Sequence, residues 1–164
     1  MEANAPPPVG RVRDSLPGEQ FERIRYFEDV PVGEAIETPA RTVTEADLVA
    51  FAGIAGDHES LDQRRGDASP PAVVPDLLII TLISGLGFRI PVAQPQVLAF
   101  MVVDWRFLAP VRIGDTVHCR IEVTTKRGFR DGGVLVEKRK ILNQRGEVVQ
   151  EGEYKLMVAR RPRS

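Results

Sequence analysis

The chain has 164 residues, and 22 basic side chains nearly balance 23 acidic ones. That length fits one domain with a substantial core, while a net charge of −1 supplies no global field to draw nucleic acid or a membrane surface. Cys119 stands alone, which excludes an intramolecular disulfide and any multi-cysteine zinc site.

The opening MEANAPPPVGRVRD carries three consecutive prolines and no apolar signal core. No later apolar run is long enough to span a bilayer. A cytoplasmic protein is expected, with neither nucleic acid nor membrane as partner. Residues 1–20 read as a flexible Pro-rich arm, leaving 21–160 as a single folded domain.

After the turn at Pro31–Gly33, Glu34–Val43 is rich in β-compatible residues and is expected as a first strand. Thr44 with Asp47 three residues on resembles a capping box. Leu48, Val49, Phe51, Ala52 and Ala55 then form a helical stripe that stops near Gly56. An irregular acidic and Pro-rich stretch, 57–75, follows. Leu77–Phe88 is apolar almost all round, with Pro75 suited to the first turn of a helix and Gly85 and Gly87 to its end. The run exceeds the usual strand length, so a buried helix is expected, a strand being the alternative.

Beyond it the period changes to two. Val117, Cys119, Ile121 and Val123 alternate with His118, Arg120, Glu122 and Thr124, the pattern of a half-buried strand. Val97–Leu108, Gly133–Leu142 and Val148–Val158 also read as strands, with turns at Arg112–Asp115, Arg130–Gly133 and Asn143–Glu147. The result is an α+β domain, an antiparallel sheet with a buried helix against one face.

Titratable groups crowd one stretch, GIAGDHESLD over residues 53–62, which holds Asp57, His58, Glu59 and Asp62. Asp57 fits either a carboxylate that handles a proton or a residue closing the preceding helix. Glu59 and Asp62 also fit solvated loop acids, and neighbouring side chains in extended chain point apart, which separates His58 from Asp57. Arg64–Arg65 suits an exposed loop pair or a contact to a phosphate. His118, on the polar face of its strand, receives no role.

Four phrases carry a family resemblance: YFEDVPVGE (26–34), RTVTEADLVAFAGIAGD (41–57), FLAPVRIGDTV (107–117) and NQRGEVVQEG (143–152). In this order and spacing the chain resembles the MaoC-like hydratases and dehydratases, the (R)-specific enoyl-CoA hydratases among them. The resemblance implies a hot-dog fold, in which a curved antiparallel sheet wraps a long helix. It implies dimers, here a homodimer or a heterodimer with another hot-dog chain. It also implies acyl thioesters of coenzyme A or a carrier protein as substrates, with no metal or redox cofactor.

The family's motif reads approximately G-D-x-N-P-(apolar)-H and falls on Gly56, Asp57, His58, Glu59, Ser60, Leu61 and Asp62. The aspartate is kept; Glu59, Ser60 and Asp62 replace the asparagine, proline and histidine. The family's A-H-G before the central helix becomes Val74-Pro75-Asp76. Hydration of an enoyl thioester needs an acid–base pair for the water and the α-carbon. It also needs a donor for the enolate-like oxygen. The resemblance assigns the first task to Asp57 with Asp62 or His58, and places Gly56 and Asp76 against substrate. Two close carboxylates share a proton, so an Asp57–Asp62 pair retains acid–base capacity. Three functions are thus in view: an acyl-thioester hydratase or dehydratase with an altered site, a non-catalytic partner subunit of a heteromeric hydratase, and a hot-dog thioesterase.

Overall fold

The computed structural model describes residues 24–57, 72–130 and 132–162. The arm assigned to 1–20 lies outside them, as do His58, Glu59, Asp62 and Arg64–Arg65.

The α+β reading holds. Among the described residues are two α-helices, α1 (Glu45–Ala55) and α2 (Asp76–Gly87), and six strands. The strands are β1 (Ala35–Glu37), β2 (Arg41–Thr42), β3 (Val97–Phe107), β4 (Thr116–Gly128), β5 (Gly132–Asn143) and β6 (Val148–Ala159). They form one antiparallel sheet in the order β1-β4-β5-β6-β3, with β2 also pairing to β4. Register shifts interrupt the β3–β6, β4–β5 and β5–β6 ladders, and such bulges bend strands.

The expected strand over Glu34–Val43 is two short strands instead. Pro39 has no N–H for a ladder. At the break the Thr38 N–H donates to the Cys119 carbonyl at 2.9 Å, while the Thr38 hydroxyl, not its carbonyl, accepts from the Cys119 N–H at 2.9 Å. A side chain thus replaces the missing ladder acceptor.

Helix α1 begins as its sequence requires. The Thr44 hydroxyl accepts from the Asp47 N–H, and the Asp47 carboxylate accepts from the Thr44 N–H at 2.9 Å. The helix ends at Gly56, whose φ of 71° is left-handed and favours glycine. Helix α2 lies on the sheet. Leu78, Ile79, Ile83 and Leu86 are buried, and they join Val117, Cys119, Ile121, Ile141 and Val149 in one apolar cluster. Its burial is one-sided, contrary to the all-round burial its composition suggests: Leu77 is exposed, and Phe88 just past its end is 76% exposed. Pro75 precedes the helix as its N-cap rather than lying in the first turn.

A second cluster closes the far end of the sheet. Phe27, in a short 3-10 turn (Phe27–Asp29), packs with Val123, Leu135, Leu156 and Val158. A Cβ on Gly133 would stand 2.2 Å from the Phe27 ring, so glycine makes the seat. The Lys126 ammonium sits 4.5 Å above that ring and donates to the Val30 carbonyl. Strand β4 alternates as expected, with Val117, Cys119, Ile121 and Val123 buried. Strand β3 does not alternate: Phe100 and Val103 are 60% and 50% exposed, and apolar residues of both parities meet solvent.

Candidate active site

Two helix ends carry the described part of the site. At the first, Gly56 turns the chain out of α1, its N–H and that of Asp57 both donating to the Ala52 carbonyl. Asp57 therefore directly follows the C-cap, two residues past the end of the helix at Ala55. Gly56 has the conformational task of ending the helix. Helix α1 packs against α2, and Phe51 lies against the main core.

The second is the entrance of α2. The Val74 N–H donates to the Val111 carbonyl at 2.9 Å and the Ile113 N–H to the Ala72 carbonyl at 3.0 Å, which anchors the chain just before the helix to the β3–β4 connection. The N-cap, Pro75, offers no side-chain cap. The first N–H groups of a helix have no intrahelical acceptor, and the helix dipole makes that end attractive to negative charge. Asp76 occupies the first turn.

Beneath this turn lies a polar group that motif reading did not single out. The fully buried Gln150 of β6 donates through Nε2 to the Asp76 carbonyl at 3.1 Å, with the Asp76 Oδ1 at 3.5 Å. Its Oε1 accepts from the Trp105 indole N–H of β3 at 3.0 Å. Close approach of β3 and β6 depends on Gly152, where a Cβ would lie 2.4 Å from Trp105 Cε3. A sequence signal for Gln150 exists: it shares the parity of Tyr154, Leu156 and Val158, the core-facing set of β6.

Further along the same face the ring of Trp105 meets Tyr154, with centroids 5.5 Å apart, and the Arg139 guanidinium stacks on Tyr154 at 4.2 Å. Arg139 gives two bonds, at 3.0 and 2.6 Å, to one oxygen of Glu137, and both side chains are buried. This pair borders a cavity of about 40 Å3 beside Gly87, opposite Arg25 and Glu34. The space suits ordered water, which polar walls of this kind hold.

Cys119 is buried, and burial pushes its thiol up to about 12. The thiol therefore stays protonated at neutral pH and is no nucleophile. Among the described residues no group of three or more His, Cys, Asp or Glu side chains is arranged to hold a metal ion, and no helix is long and apolar enough to cross a membrane. Of the five assigned site residues, Gly56, Asp57 and Asp76 stand at helix ends. His58 and Asp62 fall outside the described residues.

Residues 28–145 match the MaoC-like domain family. The chain belongs to that family. It is 33% identical over 143 residues to an (R)-specific enoyl-CoA hydratase of Rhodospirillum rubrum, covering 84% of this chain and 94% of the relative. It is also 35% identical over 107 residues to protein MaoC of Klebsiella aerogenes, covering 63% of this chain but only 31% of that longer protein. Among solved structures, a monoamine oxidase regulatory protein from Archaeoglobus superposes with a TM-score of 0.75 at 31% identity, over 87% of this chain and 99% of that one. A Mycobacterium tuberculosis protein with a double hot-dog fold superposes with a TM-score of 0.71 at 19% identity, over 86% of this chain and 46% of that one. The sheet wrapped on α2 is the hot-dog fold of the MaoC-like family.

Proposed function

We propose that the chain is an acyl-thioester hydratase or dehydratase with an altered acid–base set. The observation that carries this reading is the 33% identity to an (R)-specific enoyl-CoA hydratase along 94% of that relative, with the motif aspartate kept as Asp57. In the hydration direction Asp57 takes a proton from water as its oxygen bonds to the β-carbon. A protonated partner, Asp62 or His58, gives a proton to the α-carbon. The N–H groups of Asp76 and Leu77 at the start of α2 hold the thioester oxygen as it gains charge. No metal or redox group enters this chemistry; coenzyme A or a carrier arrives as part of the substrate.

The test is turnover of a short enoyl thioester by the isolated chain. Slow turnover is expected, because Asp62 stands where the family motif has histidine. Asp57→Asn should lower it by a further 10²–10⁴-fold or so. No turnover, and none gained with any added hot-dog chain, rejects the reading.

A second reading has its own support. Asp62 and Pro75-Asp76, in place of the motif histidine and of A-H-G, suit a subunit that lends walls and interface to a catalytic hot-dog partner. In that case the isolated chain is inactive, and activity restored by the partner survives Asp57→Asn.

Both readings include pairing through β3. It is an edge strand of the sheet, and its VLAFMVV stretch over 97–103 carries no charge. Edge strands of free monomers are normally guarded by charge, proline or short length. A second hot-dog strand laid along β3 in a homodimer or heterodimer would cover it.

A further inference from the structure

We propose that Gln150 is a positioning residue for the entrance of α2, acting through Asp76; the role rests on the acyl-thioester reading above. A negatively charged side chain in the first turn of a helix suits the helix dipole. Beside a developing oxyanion it is a competitor for the same N–H groups. Asp76 is such a side chain; the Pro75 carbonyl takes the Leu78 N–H at 3.0 Å, and no side chain caps the N–H groups of Asp76 and Leu77 before it.

The contacts of Gln150 resolve that conflict. Its Nε2 donates to the Asp76 carbonyl and approaches Oδ1 of the same residue. The carboxylate thus lies on the side of the buried amide and the sheet, 3.5 Å from Nε2, which leaves the Asp76 and Leu77 N–H groups to a substrate oxygen. The indole N–H of Trp105 occupies Oε1 of Gln150. This fixes which end of the amide faces Asp76, since an indole only donates.

The clamp joins β3, β6 and the first turn of α2. A buried amide without partners is costly, and an apolar side chain would fill the position without that risk. Apolar contact tolerates sliding of a helix over a sheet; directional bonds register it, and oxyanion donors require placement to within about 0.5 Å.

Trp105 is the sole tryptophan, so its indole N–H resonance reports the clamp directly. The experiment compares crotonyl-CoA binding, by calorimetry, for the wild type, Gln150→Met, Asp76→Asn and the double variant. Gln150→Met should keep the fold by circular dichroism and lose the hydrogen-bonded indole shift. It should weaken binding up to roughly tenfold, the scale of one lost hydrogen bond. Asp76→Asn added to Gln150→Met should restore most of that loss, because the freed side chain no longer carries charge. A residue that only fills space gives no such rescue.

Wild-type binding that Gln150→Met leaves unchanged, or a loss that Asp76→Asn does not rescue, overturns the positioning role alone. No binding by the wild type overturns the acyl-thioester reading, and the role with it. If Gln150→Met does not fold, Trp105→Phe removes the donor that orients the amide and should weaken binding about threefold. Unchanged binding in Trp105→Phe overturns the role.

Discussion

At one edge of the sheet, β1 and β2 are three and two residues long, broken at Pro39 and flanked by Glu34, Glu37 and Arg41. At the other, β3 runs eleven residues with seven consecutive uncharged apolar positions and exposes nearly all of them. The first edge is held by polar bonds that end the sheet. Thr38 bonds Cys119, Arg41 bonds Asp47, and Thr42 bonds Thr116 across to β4. Among the described residues no strand pairs with the outer side of the second. The difference teaches where to look for a partner: β1 and β2 terminate the sheet within this chain, and β3 is the edge on which the proposed pairing rests.

The largest expected effect is at β3. Val102→Lys sets a charge in the middle of the apolar stretch, and burying an unpaired charge in an interface costs several kcal/mol. The dimer dissociation constant should rise about 100-fold or more, read by sedimentation, with the circular dichroism spectrum unchanged. Glu37→Lys on the opposite edge should leave sedimentation as it is. If the two variants behave alike, the contrast between the edges fails.

Next in size is Thr38→Val. It keeps the shape but removes the acceptor for the buried Cys119 N–H. An orphaned buried donor costs about 1–3 kcal/mol, measurable by urea unfolding, with no change in dimer dissociation. Smaller again is Thr44→Ala, which deletes the α1 cap at about 1 kcal/mol.

Two of the carboxyls on which acid should act lie on the β2 side of the molecule. Burial raises the Asp47 carboxyl, yet bonds from the Thr44 hydroxyl and N–H and from Arg41 outweigh it and hold the group below its usual value. Asp115 behaves alike: burial raises it, and Gln144, the Arg112 N–H and the Arg145 and Arg112 charges outweigh that. A carboxyl depressed in the folded state stabilises above its unfolded value, near 4. That stabilisation is lost as pH falls through the folded value. Thermal unfolding temperature should therefore drop below about pH 4, and less steeply in Asp47→Asn. The smallest effect is that of salt on the dimer: pairing through uncharged β3 should be insensitive to ionic strength between about 0.05 and 0.5 M, where exposed ion pairs are screened.

Much of the fold was legible from local rules. Thr44 with Asp47 announced the start of α1 and Gly56 its end, because caps and left-handed turns are satisfied within a few residues. The alternation from Val117 to Val123 announced the inward face of β4. Leu77–Phe88 announced a helix, but its apolarity implied more burial than the described residues give it, since composition is blind to which face meets the sheet. The same limit applies to β3, whose two apolar faces read simply as a strand. Pro39 was visible, yet that the Thr38 hydroxyl would repair the ladder depends on β4, some 80 positions away. At the candidate site, Gly56, Asp57 and Asp76 were assigned from motif positions, and they lie at helix ends. Gln150 was not, because its meaning arises only when β6, β3 and α2 meet.

The seclusion of Cys119 also gives the chain a native clock. Its sulfur is fully buried in the protomer and carries the only thiol, and a thiol held near 12 reacts negligibly until it reaches water. Each modification by a thiol reagent then records one opening of the core between α2 and β4. Labelling rates, taken at rising reagent concentration, would measure how often that core opens and whether it does so alone or with the whole domain.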